Sequence, residues 1–238
     1  MSLKAVLFDF NGIIINDEPV HEKLTEQLLI EENLLVKPGE FRQFCLGRSD
    51  RACLKDILKE RGRYVAEGYI DQLIQRKAEA YLRELEALEE FPIYADTREL
   101  ILKMGQSYFK MAVVTGAVRS EVEMVLARAG LDRYFSAIVA GDEMKRSKPE
   151  PDGYLLAVER LNQLDPELNL RPEECLAIED SFAGIEAAKR AGIPVVGVAH
   201  TYPFHMLQRL ASWCVDYLSE LEWERIKQVY EESALPSA

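Results

Sequence analysis

The sequence predicts an α/β protein, with a parallel sheet buried between two layers of helices and an all-helical segment inserted after the first strand. Three observations carry this reading. Five short, β-rich apolar runs recur along the chain, each followed by a loop and then by helical periodicity; strands alternating with helices imply βαβ units and a sheet covered on both faces. From Asn16 to about Glu90 no such run occurs, only apolar positions at helical spacing. Of the 238 residues 48% are apolar and 29% charged, which is enough for a sizeable core in one large domain or two smaller ones.

The five runs are Ala5 to Phe8, Met111 to Val114, Ala137 to Val139, Leu176 to Ile178 and Val195 to Val198. Within the insertion, Leu24 and Leu28 mark one helix, Leu54, Ile57 and Leu58 another, and Leu73, Lys77, Ala80, Tyr81, Glu84, Leu85 and Leu88 a third. The acidic stretch from Glu84 to Glu90 is expected to be a solvated face. Later, Ser120 and Glu123 predict a capping box for a helix whose face is Val122, Val125 and Leu126 and whose end is Gly130. Ser181 to Ala191 repeats that plan, closed by Gly192 and Pro194. The expected division is a core of residues 1–15 and 91–238 and a helical insert of residues 16–90.

Charge narrows the partners. The 29 Lys and Arg against 41 Asp and Glu leave a formal charge of −12, which opposes nucleic acid and anionic membranes, since binding to polyanions depends on Lys and Arg. No apolar run approaches the roughly 18 residues of a membrane helix, and the N-terminus meets an acid too early for a signal peptide. A cytoplasmic protein is expected. Cys45, Cys53, Cys175 and Cys214 are dispersed with no Cys-x-x-Cys pair, so reduced, buried thiols are expected.

In an open α/β sheet, ligands bind beyond the carboxyl ends of the strands. Here those ends read Asp9-Phe10-Asn11-Gly12, Thr115-Gly116, Gly141 to Lys148 with Pro149, and Glu179-Asp180. Asp9, Glu179 and Asp180 would repel one another unless a cation lay between them, and oxygen-only ligands suit Mg²⁺. Lys148 adds an ammonium and Thr115 a hydroxyl donor for an anion. A divalent cation, a carboxylate and a Lys are the parts that phosphoryl transfer requires.

At these residues the chain resembles the haloacid dehalogenase superfamily, in particular its helical-cap phosphatases and β-phosphoglucomutases. Phe8-Asp9-Phe10-Asn11-Gly12 looks like the first motif of that family and Val114-Thr115-Gly116 like the second. Ser147-Lys148-Pro149-Glu150-Pro151-Asp152 matches the third, and Ile178-Glu179-Asp180-Ser181, followed by Gly184, Ala187, Ala188, Ala191 and Gly192, the fourth. Asn16 to His21 resembles the hinge that enters the cap. The resemblance implies a Rossmann-like core with an α-helical cap, and a small phosphorylated metabolite as partner to a monomer or weak homodimer. It implies Asp9 as nucleophile, forming an aspartyl-phosphate, with Thr115 and Lys148 on the phosphoryl group and Gly12 and Gly116 bringing backbone close to it. Mg²⁺ would be held by Asp9, the main-chain carbonyl of Asn11, Asp180 and, directly or through water, Glu179.

The implied activity is a Mg²⁺-dependent phosphatase of sugar phosphates or phosphoglycolate. A sugar-phosphate mutase and a noncatalytic phosphometabolite binder are the alternatives. The departure is Asn11, where the family ordinarily has a second Asp as general acid and base; an amide can orient a hydroxyl but has no proton to give. Three readings of Asn11 stand: Asp17, Glu18 or His21 substitutes, the protein is a slow or noncatalytic binder, or the residue is an engineered trap. His21 either lines the entrance between cap and core or packs the hinge. Arg48 either touches substrate or is an ordinary surface Arg, and Asp50 stands where the mutases have Arg, which favours the phosphatase. His200, His205, Trp213 and Trp223 are expected at the surface or in packing.

Overall fold

A computed structural model describes residues 2–232. The chain runs β1 (Ala5–Phe8), α1 (Glu18–Glu31), α2 (Glu40–Phe44), α3 (Asp50–Glu60), α4 (Glu67–Glu86), α5 (Ala95–Met104), β2 (Lys110–Val114), α6 (Arg119–Ala129) and β3 (Ala137–Val139). It continues through α7 (Asp152–Leu164), β4 (Cys175–Glu179), α8 (Phe182–Arg190), β5 (Val195–Val198), α9 (Phe204–Leu207), β6 (Trp213–Val215) and α10 (Trp223–Glu232). All strand pairings are parallel, in the order β3-β2-β1-β4-β5-β6. That order is the doubly wound one, and its direction reverses between β1 and β4.

Alternation along β1 explains the layers. Val6 and Phe8 point into a core with Ile13, Ile101, Val122 and Leu126, whereas Ala5 and Leu7 point into a second core with Tyr154, Leu161, Ile185 and Ala188. Because both faces are buried, the strand reads as an unbroken apolar run rather than an alternating one. The helices between β1 and α5 bury two clusters of their own, Leu28 with Leu54, Leu58, Ile70 and Leu73, and Leu29 with Ile57 and the two cysteines of the insert. Leu24, Tyr81 and Leu85 turn the other way and join the sheet core.

Three findings correct or extend the sequence expectations. Cys45 and Cys53 form a disulfide, with Cα atoms 4.6 Å apart; the chain leaves α2, turns through Gly47 at φ +71° and enters α3, which returns position 53 to position 45. Cys175 and Cys214 are free. The capping box at Ser120 and Glu123 does not form: α6 starts at Arg119 with Val118 before it and no side-chain cap. Instead Asp142 accepts from the Arg119 backbone N–H at 3.1 Å, and Glu123 pairs with Arg119 at 3.0 Å. Strand β6 had no counterpart among the apolar runs, being a three-residue, half-buried edge. Ser181 does cap α8, accepting from Gly184 N at 3.0 Å. Among the described residues no helix is long and apolar enough to cross a membrane.

Candidate active site

Register brings the candidate side chains together. Phe8 lies beside Val113 on one side and Ile178 on the other, so Asp9 emerges level with Val114 and Glu179, with Thr115 one residue further along. Lys148 reaches in from the loop after β3 and places Nζ 2.9 Å from Asp9 Oδ1 and 2.7 Å from Glu179 Oε1. Glu179 also accepts from the Tyr154 hydroxyl at 2.6 Å and from Ser181 at 3.3 Å. Asp9 Oδ1 takes the Phe10 backbone N–H at 2.8 Å. Two glycines make room for this packing. A Cβ at Gly184 would lie 1.9 Å from Glu179, and one at Gly12, itself at φ +74°, 2.0 Å from Asp180; only glycine tolerates both the space and that backbone.

The acids are strained electrostatically. Burial, then Glu179, pushes Asp9 up to about 8 against the opposing pull of Lys148. Asp180 is raised well above the usual carboxylate range by burial, then Glu18 and Asp9, with the Thr201 hydroxyl opposing. Burial alone would push Lys148 down, yet Asp9 and Glu179 outweigh it and hold the ammonium charged. Asp9, Glu179 and Asp180 offer oxygens within 4.8 Å of one another. One ammonium does not balance three such acids, and the all-oxygen donor set fits a hard divalent cation of the Mg²⁺ kind.

Across from these acids, Asn11 is pinned. Its Nδ2 donates to Asp17 Oδ1 and Oδ2 at 3.0 and 2.9 Å, and its Oδ1 faces the Thr115 hydroxyl at 3.4 Å. The buried Asp17 carboxylate also accepts from the Tyr81 hydroxyl, and His21 Nε2 lies 3.3 Å from it. Lys77 Nζ donates to His21 Nδ1 at 2.8 Å and to both Asp50 oxygens at 2.7 and 2.9 Å. The loop between α2 and α3 closes the site: Ser49 N donates to Ser147 Oγ at 2.7 Å, and a Cβ at Gly116 would meet Arg48 O at 2.5 Å.

Residues 6–198 match the family model described as haloacid dehalogenase-like hydrolase. The chain belongs to this family. A phosphorylated carbohydrates phosphatase from Thermotoga maritima is 29% identical to this hydrolase over 201 residues, 84% of this chain and 87% of the relative. A fructose-1-phosphate phosphatase from Escherichia coli K12 is 29% identical over 195 residues, 82% of this chain and 95% of the relative. The crystal structure of a β-phosphoglucomutase from Clostridium difficile superposes with a TM-score of 0.82 at 23% identity, covering 97% of this chain and 98% of that one, a likeness of fold.

Within the hydrolase, Asp9, Asn11, Gly12, Thr115, Gly116, Lys148, Glu179 and Asp180 converge at the strand ends. Asp9, Asn11, Asp180 and Gly116 line one cavity with Glu18, His21, Arg48 and Asp50. Arg48 lines it with its charge turned aside, Nη1 donating to Phe44 O at 2.9 Å and Nη2 to Asp56 Oδ2 at 2.6 Å. His200 packs under the first loop, Nδ1 donating to Gly12 O at 2.7 Å and its ring stacked 4.0 Å from Tyr94, while His205 is exposed. Trp223 packs edge-on against Phe109 and Trp213 stacks on Tyr230. Sequence reasoning missed Tyr154, Thr201 and Glu121 as neighbours of the site, and read Lys77 only as part of a helix stripe. A Lys between Leu73 and Tyr81 on an apolar stripe was the signal, because a buried ammonium needs acids around it.

Proposed function

We propose that the protein is a Mg²⁺-dependent phosphatase of small phosphorylated metabolites, working through an aspartyl-phosphate on Asp9, with residues 16–90 as a cap over the strand ends. The observation that carries this is the Lys148 ammonium held at 2.9 and 2.7 Å between Asp9 and Glu179. A cation in that place offsets the repulsion between an incoming phosphate and Asp9, while Asp9 Oδ attacks phosphorus and the bond to the leaving oxygen breaks. Thr115 donates to a phosphoryl oxygen and the Gly12 and Gly116 backbone lies close to it. Asp9, Asp180 and the Asn11 carbonyl would hold Mg²⁺. Glu179, already accepting from Lys148 and Tyr154, would reach it through water. When bound, the ion would return Asp9 to its ionised form and neutralise charge on the transferring oxygens.

Asn11 cannot move a proton. Its role is to orient the leaving oxygen while tied to Asp17, the proton that this oxygen takes coming from water, and a turnover on the order of 10²- to 10⁴-fold below that of a site with a carboxylic acid here is expected. Water then cleaves the acyl-phosphate and frees Asp9. Phosphate release from sugar phosphates, with and without Mg²⁺, tests the reading, together with calorimetry of Mg²⁺ on Asp180→Ala. Undiminished Mg²⁺ affinity in that variant, or release that ignores chelator, would overturn it.

A further inference from the structure

The cavity above Asp9 has an uneven charge lining. On the insert and hinge side it is bounded by Glu18, His21, Phe41, Leu46, Arg48 and Asp50. Each cation near it is committed elsewhere: Lys148 to Asp9 and Glu179, Lys77 to Asp50 and His21, and Arg48 to Asp56 and the Phe44 carbonyl. Arg42 stands outside the lining, over the Tyr202 ring at 4.8 Å. Glu18 is different, because its partner is the neutral Thr201 hydroxyl, 2.8 Å from both carboxylate oxygens, and that same hydroxyl also lies against Asp180, so its one proton is shared between two acids. Arg48 Nε, meanwhile, is buried with no hydrogen-bond partner.

Resting on the phosphatase reading, we infer that the substrate carries its phosphate on an uncharged, hydroxyl-bearing group, and that Glu18 with the Arg48–Asp56 pair excludes substrates bearing a second anion. A hydroxyl both donates and accepts, so it can donate to acceptors such as Glu18 and Asp50. A carboxylate or second phosphate only accepts. It would face Glu18 and Asp50 with no uncommitted cation among the described lining residues, and like charges set against each other in a binding site are a device for rejecting wrong partners. Asp56 contributes from outside the cavity by holding Arg48 aside.

The test is phosphate release with Mg²⁺ at fixed ionic strength on two matched pairs. These are 2-hydroxyethyl phosphate against phosphoglycolate, and fructose 1-phosphate against fructose 1,6-bisphosphate. The uncharged member of each pair is expected to have the higher kcat/KM by at least about tenfold. Glu18→Gln and Asp56→Asn should each narrow that ratio by about threefold or more through a gain for the anionic member; a merely structural role would lower both members alike. Equal values, or a preference for the anionic member, would overturn the inference and leave the phosphatase reading intact. If none of the four is hydrolysed, the phosphatase reading falls, and calorimetry of the same four compounds with Mg²⁺ still decides: tenfold weaker binding of the anionic members supports exclusion, and equal binding overturns it.

Discussion

Two buried clusters face one another across the cavity and treat charge in opposite ways. On the sheet side, Lys148 stands between Asp9 and Glu179, and Tyr154 and Ser181 complete the coordination of Glu179. At the seam between α4 and α6, Glu121 is fully buried with neither carboxylate oxygen hydrogen-bonded. Burial pushes it up to about 7, with Asp50 and Asp17 adding to the rise and His21 and Lys77 opposing it. The sheet side has a built-in counter-charge. At the seam, by contrast, Lys77 is already shared between Asp50 and His21, so burial raises the acid there without a partner bonded to it.

Removing the built-in charge should have the largest effect. Lys148→Ala leaves two buried acids unpaired, and taking one partner from a buried ion pair typically costs roughly 3–5 kcal/mol. Phosphate release should fall by about 10²- to 10³-fold or more, the size of a lost electrostatic stabiliser. Urea unfolding at pH 8 and a phosphate assay read both. An unfolding midpoint equal to the parent's would mean that the sheet side does not depend on its ammonium, and the contrast with the seam would collapse.

The seam should show itself in the pH dependence of stability. Glu121 has an ordinary carboxyl value near 4.5 and a folded value of about 7. Between these the folded chain keeps the proton and the unfolded chain does not, so stability falls as pH rises through that window and the loss is complete above it. At about 1.36 kcal/mol per unit, the change is on the order of 3 kcal/mol. Glu121→Gln has no such titration and should make the profile shallower by that amount, leaving the contribution of Asp9, which is raised to about 8. Melting curves from pH 4.5 to 8 check this; unchanged slopes would show that Glu121 is neutralised by a partner after all.

The two clusters also differ in how far the sequence reveals them. Asp9, Thr115, Lys148 and Glu179-Asp180 are legible because each follows an apolar strand, and parallel strands end together. The Ala5–Phe8 strand is recovered to the residue for the same reason. The seam joins residues far apart in the chain, Tyr81 to Asp17 and Lys77 to His21 and Asp50, and no local periodicity encodes which helix faces which. The disulfide is hidden likewise, since a spacing of eight residues becomes a contact only through the turn at Gly47. At Ser120 a correct local signal loses to a tertiary one, because Asp142 already serves the first N–H of α6.

The disulfide supplies a third prediction, because it spans the loop that lies between the clusters. Cys53→Ser, or reduction, should lower stability by about 2–3 kcal/mol, the value for closing a short loop in the unfolded chain. It should also raise KM more than it lowers kcat, since Leu46, Gly47, Arg48 and Asp50 line the cavity away from the reacting carboxylate. A kcat loss with KM unchanged would place the loop in the chemistry instead.

The smallest and sharpest effect concerns the link between the clusters, Asn11 to Asp17. Restoring an acid with Asn11→Asp sets two carboxylates against each other where an amide now donates at 2.9 and 3.0 Å. The single substitution should therefore destabilise by about 1–3 kcal/mol, the penalty for a buried polar group left unsatisfied, and its gain in phosphatase rate should stay below tenfold unless Asp17 takes up a proton. Adding Asp17→Asn turns the hydrogen bond around, with an amide at 17 donating to a carboxylate at 11. The pair should then recover most of the lost stability, a coupling of about 0.5–3 kcal/mol in a double-mutant cycle, and show the rate increase that the single change withholds. Urea midpoints and kcat for the parent, both single variants and the double variant complete the cycle. Strict additivity would mean that Asn11 and Asp17 act independently, and that the missing acid has not been traded for a buried one six residues on.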